Sequence, residues 1–534
     1  MSRLPSLKSL PGIAADAAAA AAVVARSGMV APFLPRPELL GLIARAPFKT
    51  PSLGSAVAIH AATRPSAVAL IDDEGSLTWA ALAERSRRLA NAILGVTEPG
   101  EAVAFLLRNG RENVECYTAC GLAGMAAVPM NTWSSRGEVE HIVSTQHVVL
   151  VIADREFIEA LDGLDVTVWW VGEDGDYEPA LTAADPGPPP VRGGGRIVTH
   201  TSGTTGKPKG AERSMGGTTG IASLIALLEK VPLRRSDVFY LAPPLFHQFA
   251  QGMMAVGLVL GTTMVVRRKF DAEDFLHSAV MTKTTAAALL PVMLKRIADL
   301  EGPVPVPPLR LVIASGSALP PALRERAQRR VGDVIYDLYG STEVGFATIA
   351  TPRDHATRPS SVGRAGRATQ LLIVDDDGEL LPAGEVGRIH VRSDFAFEGY
   401  TGIGLDESVV DGAIDIGDRG YLDDDGYLFV TGRTDDMIVS GGENIFPSEV
   451  EGVLEEHPDL SENAVVGADD EEFGQVLHAY VVARDGANVS ADDVTAFVKD
   501  RLARYKAPKK VVFLDALPRN AAGKVLKSEL AAED

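Results

Sequence analysis

Strand-like and helix-like runs alternate from about residue 55 to residue 431, and the pattern changes near Gly432. These observations predict a large multi-layer N-terminal domain of the α/β class, followed by a small C-terminal domain. Residues 103–107, 148–152, 264–266 and 311–313 read as strands, whereas residues 79–94 carry the apolar spacing of a helix. Such alternation puts chemistry at the loop ends beyond the strands. At 534 residues with 46% hydrophobic side chains, the chain can bury a large core. The Pro- and Gly-rich residues 186–195 form a surface linker, and the sequence contains no repeats.

Charge excludes one class of partner. A formal net charge of −20 would repel a phosphate backbone, so nucleic acid is not expected and any small anion must enter through a local basic patch. Residues 432–534 carry 11 Lys and Arg against 21 Asp and Glu, yet residues 499–510 hold six basic side chains and one acid. That run is either a solvated helix face or an anion site. Cys116 and Cys120 lie four apart and form neither a CxxC pair nor a metal-ligand cluster, which favours buried reduced thiols and a cytoplasmic protein. No run reaches the roughly 18 apolar residues of a membrane span. The alanine-rich stretch near residues 17–25 reads as a helix rather than a signal peptide.

The most informative stretch is Thr201-Ser-Gly-Thr-Thr-Gly-Lys-Pro-Lys-Gly210, led in by Ile197-Val198. Glycines let the backbone approach an anion, hydroxyls add donors, and Lys207 and Lys209 add charge, so the loop is suited to phosphate. It lacks the lysine followed directly by Ser or Thr of a P-loop. On its own it would also read as a flexible linker.

Further motifs follow in order: Tyr339-Gly-Ser-Thr-Glu343, Gly432-Arg-Thr-Asp-Asp-Met-Ile-Val-Ser-Gly-Gly-Glu-Asn-Ile445 and Pro518-Arg-Asn-Ala-Ala-Gly-Lys524. Together with the loop they resemble the signatures of the adenylate-forming superfamily, which groups acyl-CoA synthetases, peptide-synthetase adenylation domains and beetle luciferases. The resemblance runs from about residue 55 to the end. It looks nearest to bacterial fatty-acyl-CoA synthetases.

The resemblance implies that a carboxylate attacks the α-phosphorus of ATP to give acyl-AMP and pyrophosphate, after which the thiol of CoA displaces AMP. Thr201, Ser202, Gly203, Thr204, Thr205, Gly206 and Lys207 would hold phosphate. Gly316 and Ser317, in the small-residue turn after Ala314, would border the adenylate, with Asp337, Tyr339, Gly340 and Ser341 around the nucleotide. Thr342 would reach the α-phosphate, and the Glu343 carboxylate would hold Mg²⁺, a hard ion that prefers oxygen. Asp418, in Asp415-Ile-Gly-Asp418, would accept from the ribose hydroxyls beside Arg433. Ile416 departs from the threonine usual in the family, so one hydroxyl is missing there.

The same resemblance makes Lys524 the mobile lysine that bridges carboxylate and α-phosphate, and Asp435 the hinge of a small, mobile α+β domain spanning 432–534. Ser440, Gly441 and Gly442 would line the pantetheine tunnel, with Lys506, Lys509 and Lys510 offered to CoA phosphate. His247, between Phe246 and Phe249, would orient the substrate carboxylate. Phe246, Phe249, Gly252 and Met253 would line the acyl pocket. Neither residues 245–257 nor 289–294 contain Lys or Arg, so the acid is expected to be fatty or otherwise apolar. Residues 1–54 form a helical N-terminal extension outside the family core, and its segment 29–48 could touch a membrane surface or line an acyl tunnel, although covering an apolar patch of the main domain is the commoner outcome. A homodimer is compatible with all of this. A ligase that loads a carrier protein, a luciferase-like oxygenase and a non-catalytic acyl or nucleotide sensor are the competing readings.

Overall fold

The computed structural model describes residues 20–28, 52–98, 101–190, 195–202, 208–214, 218–341, 344–367, 369–393, 409–410, 412–434, 436–440, 443–470, 473–520 and 523–531. For residues 201–223 within these spans, only the backbone is described. The chain packs as two units, one made of the residues up to 270 with 278–288 and 307–311, the other of 271–277, 289–306 and 312 onward.

The first unit contains a six-stranded sheet in the order Thr167–Val171, Val148–Asp154, Ala102–Leu106, Ala126–Pro129, Arg196–Ser202 and Pro208–Ser214. All neighbours are parallel except the last pair, whose antiparallel register runs from Arg196 opposite Ser214 to Ser202 opposite Pro208. Parallel neighbours require crossovers, and the helices Arg111–Ala123 and Arg136–Thr145 supply two of them. The strand interiors are nearly all apolar, as a sheet covered on both faces demands.

A second group of strands in this unit runs Val238–Leu241, Thr263–Val266, Val68–Asp72 and Gly75–Thr78. Beside it the helix Trp79–Leu94 buries Trp79, Leu82, Ala83, Ser86, Leu89, Ala90 and Ile93, the repeat of three and four that marks one face. It starts there because the Thr78 hydroxyl accepts from the Ala81 N–H at 3.2 Å, capping an otherwise unpaired donor. Cys116 and Cys120 lie buried and free on the helix Arg111–Ala123, and burial pushes the Cys120 thiol up to about 12, so both are inert. The alanine-rich N-terminal stretch is helical over residues 20–27, whereas residues 29–48 lie outside the described residues. Among the described residues, no helix is long and apolar enough to cross a membrane.

In the second unit, Ile335–Ser341 pairs in parallel with Leu311–Ala314 and antiparallel with Gly345–Ala350. An antiparallel sheet follows, formed by Thr369–Val374, Gly387–Ser393, Ala413–Leu422, Leu428–Arg433 and the short Val409–Val410. A further sheet has the order Glu443–Ile445, Ile438–Ser440, Gly474–Ala483 and Leu460–Asp470, with Lys510–Phe513 parallel to Gly474–Ala483. Helices Pro447–Leu454 and Ala491–Lys499 close it around Ile438, Val450, Leu454, Leu477, Val494 and Val498. Residue 432 falls inside the strand Leu428–Arg433, which belongs to the preceding sheet.

Candidate active site

In the first unit, the chain leaves the strand Val238–Leu241, passes Pro243-Pro244, and enters the helix Gln248–Leu260 with His247 as its N-cap. The His247 Nδ1 accepts from the Phe249 N–H at 3.3 Å, which places the ring proton on Nε2. Burial pushes the imidazole below its ordinary range, so the ring stays neutral and offers one N–H donor.

This segment has no regular pairing of its own, and side chains from elsewhere in the unit satisfy its backbone. Asn109 donates Nδ2 to the Pro243 carbonyl at 3.0 Å and accepts the Leu245 N–H on Oδ1 at 2.7 Å. The Tyr117 hydroxyl donates to the Leu245 carbonyl at 2.7 Å, and Gln251 donates Nε2 to the Phe246 carbonyl at 2.6 Å. Gln251 is itself fixed by the Thr199 hydroxyl at 3.0 Å. Sequence reasoning missed Asn109, Tyr117 and Gln251. Asn109-Gly110, ahead of a helix, carries a turn signal but no sign of which backbone it holds.

Phe246 and Phe249 are half-buried, Met253 is buried, and Gly252 is exposed with no atom within 4 Å of where a Cβ would stand. The helix thus opens at Gly252. The strand Arg196–Ser202 carries the backbone of Thr201 and Ser202 to the phosphate-loop sequence. Gly203, Thr204, Thr205, Gly206 and Lys207 lie outside the described residues.

In the second unit, Leu311–Ala314 ends in a turn where Gly316 takes φ +99° and Ser317 is exposed. Positive φ explains the glycine. The Ser315 hydroxyl donates to the Leu338 carbonyl at 2.8 Å, tying this turn to the next strand. On that strand Asp337 is buried, and its carboxyl is pushed up to about 7 by desolvation, offset in part by Arg324. Tyr339-Gly340-Ser341 is the end of the strand, where its sequence alone would suggest a turn. Gly340 has a local reason to be glycine: a Cβ there would lie 2.0 Å from the Gly345 carbonyl oxygen across the hairpin. Among the described residues, the Ser341 hydroxyl is buried without a partner. Thr342 and Glu343 lie outside the described residues. Among the described residues, no group of three or more His, Cys, Asp or Glu could hold a metal ion.

Asp418 and Arg433 are direct cross-strand partners. The Tyr339 hydroxyl donates to Asp418 Oδ2, and Arg433 Nη1 lies 3.4 Å from Oδ1. Burial and the nearby carboxylate push the Tyr339 phenol well above its ordinary range, so it remains a donor. Side chains distant in sequence thereby converge on one carboxylate. Arg433 is 44% exposed, so solvent screens its attraction to Asp418.

Lys524 is exposed on a turn closed by Asn520, which donates its backbone N–H to the Lys524 carbonyl at 2.8 Å and accepts the Lys524 N–H on Oδ1 at 2.9 Å. Ser440 ends a strand of the hairpin that continues at Glu443. Asp435, Gly441 and Gly442 lie outside the described residues. The basic run is no continuous helix face: the helix ends at Lys499, a 3₁₀ turn spans Arg504–Lys506, and a strand begins at Lys510. Lys506 pairs with Glu449 at 2.5 Å, and Lys509 pairs with Asp470 at 2.6 Å. An anion arriving there would compete with two carboxylates.

Residues 57–401 match the AMP-binding enzyme family, and residues 449–524 match the AMP-binding enzyme C-terminal domain. The indoleacetate–CoA ligase of Aromatoleum aromaticum is 33% identical over 88% of this chain and 96% of that protein. The fatty acid–[acyl-carrier-protein] ligase ScoC of Streptomyces coeruleorubidus is 31% identical over 90% of this chain and 96% of that protein. The solved o-succinylbenzoate CoA synthetase of Bacillus subtilis, in complex with its acyl-adenylate intermediate, superposes with a TM-score of 0.79 at 30% identity, covering 89% of this chain and 97% of that one. The chain therefore belongs to the AMP-binding enzyme family, as an AMP-forming acid–thiol ligase.

Proposed function

We propose that this protein activates a monocarboxylic acid with an apolar tail, aromatic acids ranking ahead of straight-chain fatty acids, and passes the acyl group from AMP to CoA. The observation that carries the reading is the neutral His247 cap at the head of an apolar helix that opens at Gly252. A neutral Nε2–H can donate to a carboxylate oxygen and so orient it. Walls without Lys or Arg would leave a second carboxylate of the substrate unpaired. The aromatic preference follows the named acid of the indoleacetate enzyme, an aromatic monocarboxylate.

In this reading the phosphate-loop residues 201–207 hold the triphosphate, Tyr339 and the turn at Gly316 and Ser317 border the adenine, and Asp418 with Arg433 takes the ribose. Attack brings two anions together, so catalysis depends on cations placed where charge accumulates. Lys524 supplies one between the carboxylate and the α-phosphate, and Thr342 donates to the same phosphate. Glu343 would hold magnesium, which would neutralise phosphate charge. The residues beyond Asp435 act as a small domain pivoting there, while Gly432 and Arg433 stay with the preceding sheet, so that the Ser440 to Gly442 hairpin replaces Lys524 for the thiol step. Lys506 and Lys509 meet CoA phosphate once Glu449 and Asp470 release them, at little cost for the exposed Lys509 and at more for the part-buried Lys506. ATP and CoA as substrates fit a cytoplasmic enzyme.

The test is pyrophosphate release over a panel of arylacetic, cinnamic, medium-chain fatty and dicarboxylic acids. Preference for a dicarboxylate would refute the apolar-tail reading, and preference for fatty acids would reverse the ranking. The relative named for a carrier-protein acceptor supports a second reading. Thioester formed with free CoA, compared with a phosphopantetheinylated carrier protein, separates the two.

A further inference from the structure

Asp418 does not stand on a regular strand. Between Ala413–Leu422 and Gly387–Ser393 the register jumps: Arg388 faces Arg419 and His390 faces Asp415, which leaves Ile389 opposite Ile416, Gly417 and Asp418 together. The extra residues form a bulge, and a bulge re-aims the side chain that follows it. Gly417 takes φ +77°, and a Cβ on it would lie 3.0 Å from Arg433 Nη2.

We infer that Asp415 is the positioning residue of this bulge and, through it, of the Asp418 carboxylate. Asp415 Oδ1 accepts the Gly417 N–H at 2.8 Å, and Oδ2 accepts from Arg388 Nε at 2.9 Å and from Arg388 Nη2. Its side chain is only 6% exposed, so both oxygens are committed to the protein. The Gly417 carbonyl accepts the Thr434 N–H at 2.8 Å, and the Ile416 carbonyl lies 3.4 Å from Arg433 Nη1. The bulge is thus gripped on one side by Asp415 and on the other by the strand bearing Arg433. Ile416, which lacks the hydroxyl its position usually supplies, is buried and can offer the turn no hydrogen bond from its side chain. Asp415 and Arg388 hold the turn from outside that position.

The inference rests on the reading of Asp418 as the ribose carboxylate, and the experiment separates the two. Pyrophosphate release is measured with ATP, 2′-deoxy-ATP and 3′-deoxy-ATP for the parent, Asp415→Ala, Asp418→Ala and the double variant. Asp418→Ala is expected to abolish the preference for ATP over the deoxy analogues. Asp415→Ala is expected to cut that preference by about tenfold, the scale of ~1.4 kcal/mol, and to raise KM for ATP but not for the acid. The double variant should be no worse than Asp418→Ala, because a residue acting through Asp418 has nothing left to position. A parental preference in Asp415→Ala, with the preference lost in Asp418→Ala, overturns the inference and leaves the ribose reading standing. A parental preference in Asp418→Ala overturns the ribose reading itself. If Asp415→Ala does not fold, the isosteric Asp415→Asn weakens the hold of Arg388, and a parental preference in that variant overturns the inference.

Discussion

The segment 243–251 and the bulge at 415–418 are both irregular backbone fixed by side chains, but different forces fix them. Asn109, Tyr117 and Gln251 hold the first by short neutral hydrogen bonds within an apolar surround. An Arg388–Asp415 ion pair holds the second, beside a carboxylate shared by Tyr339 and Arg433. Neutral amide contacts fix position while adding little field, which would suit the apolar tail proposed for this segment. In the proposed reading, the charged arrangement would hold the Asp418 carboxylate for hydroxyl donors. One region is specialised for shape and the other for polarity, and each should fail in its own way when cut.

The largest effect is expected from Asp418→Ala, which removes the carboxylate itself. Hydrogen bonds to a charged group contribute ~1.5–3 kcal/mol each, so kcat/KM for ATP should fall roughly a hundredfold while KM for the acid holds. An equal loss on both substrates would erase the proposed division of labour. Asn109→Leu attacks the neutral side. It leaves the Pro243 carbonyl and the Leu245 N–H unpaired inside the protein, which should lower unfolding stability by about 1–3 kcal/mol and lower kcat/KM for the acid by about tenfold, more than for ATP. Chemical denaturation and paired kinetics measure both, and a variant impaired only toward ATP would contradict the comparison.

A smaller effect, a few-fold rise in KM for the acid, is expected from His247→Ala, on the scale of a lost cap and donor at about 1 kcal/mol. Because burial lowers the His247 pKa below its ordinary 6.5, the ring is neutral above pH 7, and the shape of the pH–rate profile between pH 7 and 8 should not change in the variant. A limb that vanished with the histidine would show a titrating base. The smallest effect concerns Asp337. Its folded carboxyl lies near 7, above the ordinary value of 3.8, so the native state binds the extra proton and stability falls as pH rises from about 4 to about 7. Asp337→Asn should flatten that part of the Tm profile, and an unchanged slope would assign the pH dependence to other groups.

The sequence is most legible where local pattern and tertiary need coincide. The spacing of apolar residues from Trp79 to Leu94 marks the helix and its buried face. It is less legible at Tyr339-Gly340-Ser341, whose residues suggest a turn yet end a strand, because pairing with Gly345–Ala350 outweighs local propensity. The basic run 499–510 shows the limit plainly. Charge counting marks a cation cluster, but Glu449 and Asp470 reach Lys506 and Lys509 from far along the chain.

By itself the sequence determined the α/β class and the chemistry of adenylate formation, because these rest on residue types in order and on short-range periodicity. It also marked Asp418, Arg433 and His247 as residues of interest through the motifs around them. Only the tertiary structure decided what holds them: the cross-strand pairing of Asp418 with Arg433, the bulge gripped by Asp415, and Asn109 beneath the approach to His247. The reason is physical. A hydrogen bond acts over about 3 Å, whereas its partners here lie from two to more than a hundred residues apart, and only the folded chain sets which distant groups come within that range.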